Sequence, residues 1–574
     1  MQKLDKVFRI NPLYDADGYK VGHHRMLAPN TVREYWTWIP RSLKYMHPSI
    51  TKIMSAGQQM VVRYIHSNFK ELFFDQPIEV ALKFGRDMSK YLGMDYDGRH
   101  FEELHKLGYL PIQIQAIPEG VFTDKNVPHM AGINTKDGYA WLGLFLETLF
   151  SKLAWQFPTT ATIGYQFRKN AQEWAAKTDP DNLWLADFMC HDFHSRGGNP
   201  FTSIAVGLAH AFSNLGSDTL NVIEAARYYY DVPEDEVCIY SVNASEHSVT
   251  CTGIFYYERL MRRGLANDLI KEYYSYDIQC EGSVENPDYK AIAEWANLRD
   301  WLKKFPKGIL SVVSDTFDLW KLITFILPRL KKEILAREGK LVIRPDSGDP
   351  VDIICGFQAI TEEWDGTGKR YHRDDVFERE GDGDVPSLWV AKHGAKPVSI
   401  NEEKGVIELL WDIFGGTTNK QGFKVLDSHI GAIYGDSINV ERQVSMYSRL
   451  ADKGFASTNI VLGVGSYAYV MLTRDSAGWA AKGAWFEILT QASEPDEQPE
   501  REQFDIFKDP VTDDGTKKSL RGFQFVSADG VVESGVSEEK AFSEDNLLKT
   551  IYKDGKFFNQ VTLNDVRTRI KATL

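Results

Sequence analysis

The chain has 574 residues, of which 43% are hydrophobic and 25% charged, and a formal net charge of −14. This length predicts two or more domains, and the acidic balance argues against a nucleic acid or an anionic membrane as the main partner. The five cysteines form no Cys-x-x-Cys pair, and Met1–Asn11 lacks the apolar segment of a signal peptide. We therefore expect a cytoplasmic protein with reduced thiols and no structural zinc site.

The first 160 residues show no regular alternation of strands and helices. The segment Tyr109–Ile117 alternates apolar and polar residues, which predicts a half-solvated strand. The segment Tyr139–Phe157 is the most apolar long stretch, but it contains Glu147 and Lys152. It therefore predicts a buried helix rather than a membrane span.

From about residue 180 to 470, short apolar runs recur and each is followed by polar residues. Helix-like stretches, such as Phe317–Glu338 and Ile438–Lys453, separate several of these runs. This alternation predicts a parallel α/β barrel with its active site at the carboxyl ends of the strands, although an open doubly wound sheet would give a similar local pattern. The predicted strands are Phe188–Cys190, Val237–Val242, Gly308–Val313, Leu341–Arg344, Ile430–Tyr434 and Thr458–Leu462.

The remainder of the chain, 471–574, contains three strand-like runs that look like antiparallel strands returning to the first domain. These runs are Ala484–Ile488, Gly522–Val526 and Lys556–Phe558. Two segments, the charged 361–397 and the acidic 491–503, have the composition of surface loops. The predicted domains are thus 1–180, 181–470 with an insertion at about 361–397, and 471–574.

The strand Leu341–Arg344 ends in a group of chemically versatile side chains. Arg344, Asp346 and Asp349 follow one another closely, with Pro345 and Gly348 shaping the turn. A guanidinium and carboxylates at the rim of a sheet suit a phosphorylated, hydroxylated ligand. The alternative is an ordinary turn into a helix capped by an aspartate.

Three other motifs carry possible chemistry. His247, after Glu246, could transfer a proton or be phosphorylated, or be a structural histidine. The i, i+3 pair His191 and His194 has no third ligand nearby and favours a structural role over a metal site. Gly463–Ala468 formally matches a dinucleotide fingerprint, but a glycine turn that receives one phosphate fits its late position better.

A basic group near the end of the chain could bind phosphate. It consists of Arg474, Lys482 and the segment Lys508–Gly522, and the alternative is a solvated loop.

Taken together, these blocks resemble the type II phosphoribosyltransferases, and among them those that use nicotinamide. The resemblance covers nearly the whole chain. Its ordered motifs are Asp17–Lys20 with His23, Pro29–Thr31, Gly108–Ile112, Pro118–Gly120, His191–Phe193 with Arg196-Gly197, Gly216–Thr219, Glu246–Ser248, Ser311–Asp315, Ile343–Gly348, Gly435-Asp436, Leu472–Asp475 and Phe507–Pro510.

The resemblance implies an incomplete (β/α) barrel plus an α/β sandwich formed by both chain ends. It also implies a head-to-tail homodimer with shared active sites. The implied reaction converts nicotinamide and phosphoribosyl pyrophosphate to nicotinamide mononucleotide and pyrophosphate, for NAD salvage. The implied cofactors are Mg²⁺, held through pyrophosphate, and optional ATP, hydrolysed through a phosphohistidine at His247.

The resemblance also assigns roles to individual residues. Phe193 and Tyr19 of the partner subunit would sandwich the pyridine ring, and Asp218 would accept a hydrogen bond from the carboxamide and disfavour nicotinate. Asp315 and Asp346 would lie near the ribose hydroxyls and the pyrophosphate. The positions implied to hold other parts of the substrates are Arg196, Ser311, Arg344, Gly435, Asp436, Gly465 and Ser466. The implied phosphate and ATP clamp is Arg41, Arg474, Lys482 and Lys517.

Two positions depart from the family pattern. The glycine run after the late strand is thinner, with Tyr467 and Ala468 following Ser466, and Ala480 replaces a serine near Lys482. The alternatives to a nicotinamide enzyme are a nicotinate-specific relative, a non-catalytic nucleotide-binding regulator, and a dinucleotide oxidoreductase built on Gly463–Ala468.

Overall fold

The computed structural model describes residues 10–381, 386–490, 499–508 and 520–574. Among these residues the strands are β1 Thr31–Ile39, β2 Ile53–Met54, β3 Ile112–Ala116, β4 Phe122–Thr123, β5 Met130–Asn134, β6 Cys190–Asp192, β7 Gly216–Ser217, β8 Asn243–Ala244, β9 Leu310–Val313, β10 Leu341–Arg344, β11 Ala359–Thr361, β12 Arg370–His372, β13 Val376–Arg379, β14 Leu388–Ala391, β15 Gly416–Thr418, β16 Lys424–Leu426, β17 Ile430–Tyr434, β18 Ile460–Val464, β19 Ala480–Leu489, β20 Arg501–Asp505, β21 Phe523–Val526, β22 Val532–Val536, β23 Lys549–Lys553 and β24 Lys556–Phe557.

The helices alternate with the strands through the middle of the chain. They are α1 His23–Met26, α2 Gln58–Phe69, α3 Glu79–Leu92, α4 Arg99–Leu107, α5 Ala140–Ala154, α6 Gln156–Thr178, α7 Pro200–Ala211, α8 Asn221–Tyr230, α9 His247–Arg262, α10 Asn267–Tyr274, α11 Tyr289–Lys304, α12 Leu319–Lys321, α13 Leu327–Leu335, α14 Pro350–Cys355, α15 Ile400–Phe414, α16 Val440–Asp452, α17 Ser466–Tyr469, α18 Glu538–Ala541 and α19 Leu563–Lys571. Two π-helical turns extend α2 and α12, at Lys70–Phe74 and Leu322–Ile326. Short 3₁₀ helices lie at Pro12–Tyr14, Gly18–Gly22, Pro180–Asp187, Ser195–Gly197, Arg373–Asp375, Ser457–Asn459 and Arg474–Ser476.

The two ends of the chain share one antiparallel sheet. Its strand order is β20-β19-β1-β5-β3-β23-β24, so three strands from the first 134 residues lie between two pairs of strands from the last hundred. β1 is the central link, because it pairs with β19 on one edge and with β5 on the other. Apolar residues from this sheet and from helices α2 to α5 form one hydrophobic core.

The middle of the chain forms a parallel sheet of seven strands in the order β7-β6-β18-β17-β10-β9-β8. A parallel bridge between Gly216 and Tyr240 joins β7 to the segment that leads into β8, so the sheet curls back toward its own opposite edge. Because the strands are parallel, their carboxyl ends gather on one side of this curled sheet. Strands and surrounding helices bury a second, larger core.

Helix α6 connects the two halves of the molecule. Its first turns bury Phe157 and Ala161 beside α7 and α8, and its later turns bury Phe167 and Ala171 in the core of the parallel sheet. One continuous helix therefore contributes to two of the hydrophobic cores.

The predicted fold class, an incomplete parallel barrel plus a sandwich built from both chain ends, is confirmed. The strands Leu341–Arg344 and Ile430–Tyr434 were predicted with the bounds they have. The proposed domain limits at about 180 and 470 stay predictions.

Several local predictions were wrong. Val237–Val242 is not a strand: Tyr240 makes one bridge and the strand β8 begins only at Asn243, so this apolar run covers the last helix instead of extending the sheet. The strand within Tyr109–Ile117 is almost fully buried, because helices and other strands cover both of its faces. The segment 361–397 is not a simple loop, because the hairpins β11–β12 and β13–β14 lie in it.

The second predicted loop, 491–503, lies partly outside the described residues, which exclude 491–498. Its end was also mispredicted, because Arg501–Gln503 begin strand β20, which pairs with β19. No helix of the described chain is long and apolar enough to cross a membrane. All five cysteines are free thiols.

Candidate active site

Polar side chains from six strands meet at the carboxyl edge of the barrel. Arg344, at the end of β10, lies close enough to the carboxylates of Asp346, Asp218 and Asp315 for their charges to act on it. Asp346 is in turn influenced by Asp436, which follows β17. These site residues, which the sequence analysis placed at the ends of separate strands, are therefore neighbours at the carboxyl edge of the barrel.

Asp315 organises the turn after β10. Its Oδ2 accepts hydrogen bonds from the backbone N–H of Asp346 at 2.9 Å and from Ser347 Oγ at 2.5 Å. Its other oxygen, Oδ1, is buried and has no hydrogen-bond partner in the structure. A buried carboxylate oxygen without a donor is costly, so Asp315 holds a place for a ligand hydroxyl or a cation.

His247 stands at the start of α9, opposite these acids. Its Nε2 lies 3.8 Å from Asp315 Oδ1 and 3.8 Å from Asp346 Oδ2, and its Nδ1 contacts Thr316 Oγ1 at 3.2 Å. About half of the side chain is exposed. The imidazole is thus accessible and oriented by Thr316, a residue that the sequence analysis did not single out.

Two neighbours hold Arg344 in place. Its Nη2 donates to the carbonyl of Ser245 at 2.6 Å, and its backbone N–H donates to Ser314 Oγ at 3.1 Å. Its Nε is buried without a partner. Burial lowers the pKa of Arg344, while the three nearby aspartates act in the opposite direction. Burial also raises the pKa of Asp346, against the influence of Arg344.

The ring of Phe193 packs against two glycines. An added Cβ at Gly463 would lie 2.5 Å from the Phe193 ring, and one at Gly435 would lie 3.4 Å from it. Glycine at these positions in β18 and after β17 therefore leaves room for a flat aromatic face. The imidazole of His191 lies beside the same ring, with centroids 4.9 Å apart.

Asp218, directly after β7, is fixed by two hydrogen bonds to one of its oxygens. Oδ1 accepts from His191 Nε2 at 2.9 Å and from the hydroxyl of Ser241. Burial acts to raise the pKa of Asp218, but these hydrogen bonds outweigh it and leave the pKa below its usual value. Asp218 is therefore a carboxylate with Oδ2 free.

The sequence analysis missed the roles of His191 and Ser241. It treated His191 as structural, although the neighbouring Phe193 was a site candidate. Ser241 is a small polar residue within the apolar run Val237–Val242, which was a signal that could have been used.

A buried polar network supports Phe193 and Asp218 from behind. Asp192 is fully buried and accepts from His194 Nδ1 at 2.6 Å, Ser217 Oγ at 3.0 Å and Thr219 Oγ1 at 2.7 Å. Burial disfavours its charge, but the hydrogen bonds and charge of His194, together with the charge of His210, keep the pKa of Asp192 well below its usual value. The network ties the end of β6 to the end of β7.

The other predicted barrel residues lie around the same edge. Arg196 is exposed in the turn after β6, and its charge acts on Arg344. Ser466 Oγ donates to the carbonyl of His194 at 3.2 Å, and a Cβ at Gly465 would meet open space. Ser311 is different, because it is buried within β9 and its hydroxyl has no partner.

The predicted clamp residues lie on the sandwich instead. Tyr19 is 65% exposed near His23, and Arg41 Nε donates to the carbonyl of Gly478 at 3.2 Å. Arg474 is exposed at 4.0 Å from Asp475. Lys517 lies outside the described residues.

Lys482, on β19, lies above a small group of charged residues. Its Nζ is 3.7 Å from Glu147, which also forms an ion pair with the buried Lys20. Ala480 is buried at the start of the same strand and offers no hydroxyl. Among described residues, no hydrogen bond or ion pair joins Tyr19, Arg41, Arg474 or Lys482 to the barrel acids.

The side chains at the barrel edge could hold a metal ion only together with a bound substrate that supplies further oxygen atoms. The described residues contain no group of three or more His, Cys, Asp or Glu side chains that could hold a metal ion. Mg²⁺ commonly uses one or two carboxylates together with substrate phosphates. The unpartnered Oδ1 of Asp315 and the exposed Asp346 fit that smaller requirement.

Comparisons with known proteins agree with one another. Residues 268–556 match the Nicotinate phosphoribosyltransferase (NAPRTase) family. The chain is 33% identical to a nicotinamide phosphoribosyltransferase from Acinetobacter baylyi, over 99% of this chain and 98% of that protein. It is 29% identical to one from Xanthomonas campestris pv. campestris, over 98% of each, and 28% identical to one from Mycoplasma pneumoniae, over 89% of this chain and 94% of that protein.

Proposed function

The chain belongs to the nicotinate phosphoribosyltransferase family, and we propose that it transfers the phosphoribosyl group of phosphoribosyl pyrophosphate to nicotinamide. The products are nicotinamide mononucleotide and pyrophosphate, which makes the chain a pentosyltransferase of NAD biosynthesis. The names of its relatives support this substrate.

The free oxygen of Asp218 is the observation that carries the choice of nicotinamide. Oδ1 already serves His191 and Ser241, so Oδ2 remains to accept a hydrogen bond from the carboxamide NH₂. A charged acceptor strengthens that bond, and the same charge repels the carboxylate of nicotinate. Phe193 beside it supplies one flat face for the pyridine ring.

Charge separation explains the rest of the barrel edge. Breaking the bond between ribose C1 and pyrophosphate leaves positive charge on the sugar and negative charge on the leaving group. Asp315 and Asp346 stabilise the first, and Arg344 with Arg196 stabilises phosphate oxygens. The ring nitrogen of nicotinamide is itself the nucleophile, so positioning replaces a general base.

Mg²⁺ would be held by the pyrophosphate together with Asp315 and Asp346. When bound, it neutralises charge on the leaving group. The protein side chains place the sugar between these acids and the pyridine site.

ATP coupling is a proposal centred on His247. Thr316 contacts Nδ1, and no residue that the structure describes makes a hydrogen bond to Nε2. In the coupled reaction a bond forms between an imidazole nitrogen and the γ-phosphorus, the bond to ADP breaks, and water later removes the phosphoryl group. The added negative charge would order the cationic clamp.

A head-to-tail homodimer would complete the site. The clamp residues and Tyr19 make no polar contact with the barrel acids of their own chain, as described above. Helix α9, which carries His247, exposes Val249, Phe255 and Tyr256, and such an apolar face suits a subunit interface. The partner's Tyr19 would then stack on the second face of the pyridine. The free cysteines support a cytoplasmic location.

One assay tests the function. Purified protein is incubated with Mg²⁺, phosphoribosyl pyrophosphate and either nicotinamide or nicotinate, with and without ATP, and mononucleotide formation is measured. We expect nicotinamide to be the better substrate by kcat/KM. Preference for nicotinate would identify a nicotinate enzyme, and binding without pyrophosphate release would identify a regulator.

A further inference from the structure

A second cationic cavity lies at the opposite end of the barrel strands. It holds about 200 Å³, far more than the about 10–15 Å³ that one water molecule needs. Its walls come from helix α6, from the segments that precede β6 and β7, and from helix α19. Asp187 and Leu215 mark these segments, and both precede their strands. The cavity is therefore distinct from the active site, which lies at the carboxyl ends of the same strands.

Arg168 forms one wall and is only partly satisfied. It is 5% exposed, and its Nη2 donates to Asp187 at 2.6 Å. Its Nε and Nη1 are buried without a partner, as is the hydroxyl of Ser213 on the same cavity. Unpaired buried donors are unfavourable, so this wall of the cavity favours a bound molecule that carries hydrogen-bond acceptors.

Helix α19 contributes two further cations. Arg567 donates through Nε and Nη2 to the carbonyl of Ala211 at 2.9 and 2.6 Å, and through Nη2 to the carbonyl of Cys238 at 2.7 Å. These bonds fix the guanidinium at the cavity and leave its Nη1 unused. Lys571 lines the cavity one turn later. Neither Arg567 nor Lys571 has a carboxylate within 4 Å in the part of the chain that the structure describes.

The charges decide which ligand fits. Among the side chains that line the cavity, three cations (Arg168, Arg567 and Lys571) face the single carboxylate of Asp187, which forms an ion pair with Arg168. Burial lowers the pKa of Arg567, although nearby Asp187 opposes this effect. A phosphate group, with a charge of about −1.5 to −2 at pH 7, matches this excess of cations better than a carboxylate does. A guanidinium also binds phosphate oxygens in a fixed fork.

We propose that the cavity between α6, the approach to β7 and α19 is a binding site for a small phosphate-bearing molecule. Its volume of about 200 Å³ favours a free small molecule over a lipid surface or a peptide. The proposal does not rest on the transferase activity, because none of its residues belongs to the active site.

Equilibrium dialysis of the full chain with radiolabelled inorganic phosphate tests the proposal. The parent protein is compared with Arg567→Gln, which removes one charge from the surface-facing helix. We expect binding at this site to weaken by about 10- to 100-fold, because a charge-assisted hydrogen bond is lost. Lys553→Gln, an exposed lysine on β23, is the matched control and should bind like the parent. Steady-state kinetics should be unchanged in both variants.

A second variant and a crystallographic test of where the anion binds complete the experiment. Lys571→Gln, which is more exposed, should weaken binding by up to about fivefold and serves if Arg567→Gln does not fold. Crystals soaked in tungstate should show anomalous density beside the Arg168 and Arg567 guanidinium groups. A second soak with ribose 5-phosphate distinguishes a phosphate monoester from free phosphate as the occupant. Unchanged phosphate binding in both variants, or tungsten only at other places, would overturn the proposal.

Discussion

The two oxygens of Asp218 differ in their hydrogen bonding, and this difference is the most specific chemical feature of the barrel edge. His191 and Ser241 both bind Oδ1, and together they keep the pKa of Asp218 below its usual value despite partial desolvation. The protein thus positions Asp218 through Oδ1, and in the proposed complex its other oxygen, Oδ2, would bind the ligand. A substitution that keeps its shape but removes its charge isolates this role.

We expect Asp218→Asn to lower kcat/KM for nicotinamide by about 10- to 100-fold, because a charge-assisted hydrogen bond of about 1.5–3 kcal/mol is lost. Nicotinate should be discriminated against less strongly, since the repulsion also disappears. Initial rates with both pyridines measure the ratio. Asp374→Asn, in the exposed insertion, is the control for a lost charge. An unchanged preference would show that another group selects the amide.

Glu34 is a buried acid beneath Lys482. Burial, with a further contribution from Glu147, raises its pKa to about 8. Glutamate in the unfolded chain loses its proton near pH 4.5. Between these values the folded state binds the extra proton, so stability falls as the pH rises.

The Glu34→Gln variant should have a flatter stability profile over that interval. From pH 5 to pH 8 we expect the parent to lose at least about 1 kcal/mol more unfolding free energy than the variant. Urea denaturation at the two pH values measures this difference. The exposed Glu103→Gln should behave as the parent does. Parallel profiles for parent and Glu34→Gln would mean that Glu34 is ionised in the folded protein.

At the scale of elements, Gly463 allows β17, β18 and the turn that carries Phe193 to pack closely, because it has no side chain. The Cβ position of Gly463 lies 2.7 Å from Gly435 Cα as well as 2.5 Å from the Phe193 ring. Neither neighbour can yield easily, because one is backbone and the other is a packed ring.

Gly463→Ala should therefore destabilise the protein by about 1–3 kcal/mol and raise KM for the pyridine by displacing Phe193. Gly431→Ala on the neighbouring strand β17 is the matched control, because its Cβ would meet only the flexible side chain of Lys340, at 3.2 Å. Urea denaturation and pyridine titration compare the two variants. Equal effects from both would remove the steric explanation.

The same elements show what the sequence could predict. The apolar runs that became β9, β10, β17 and β18 were readable because both faces of a parallel strand are buried and the run is continuous. The run Val237–Val242 has the same composition but serves to cover α19 and to close the barrel at Tyr240. An apolar run predicts that a segment is buried, but it does not predict which element of the fold covers that segment.

The site was predictable to a similar extent. Arg344, Asp346 and Asp315 could be placed at strand ends from local patterns, and parallel topology then brings strand ends together. The pairing of His191 and Ser241 on one oxygen of Asp218 joins three distant segments, and no local pattern encodes it. The contact between Phe193 and two glycines is equally non-local.

At the scale of the whole molecule, the described cationic residues Arg41, Arg474 and Lys482 make no polar contact with the acids of the barrel in their own chain. The proposed homodimer makes these two groups meet across subunits, with residues of two chains in each site. This arrangement predicts complementation between two inactive variants.

Protein with Tyr19→Ala in one chain and Asp346→Asn in the other should regain activity when the chains are mixed. Each mixed dimer has one site with both defects and one with neither, so a random mixture should reach about one quarter of the parent activity. Co-expression of the two chains and measurement of kcat on the unselected mixture tests this, and mixed dimers isolated through two affinity tags should reach about one half. No recovery above the two single variants would show that Tyr19 acts within its own chain or plays no part.

The sheet shared by both chain ends has a consequence for biosynthesis. On the ribosome, β1 emerges hundreds of residues before β19 and must wait without its edge partner while the barrel is made. Such distant pairings close slowly, and an unpaired apolar strand is prone to misassociation. The nascent amino-terminal third should thus remain protease-sensitive until translation ends, whereas the barrel becomes resistant earlier.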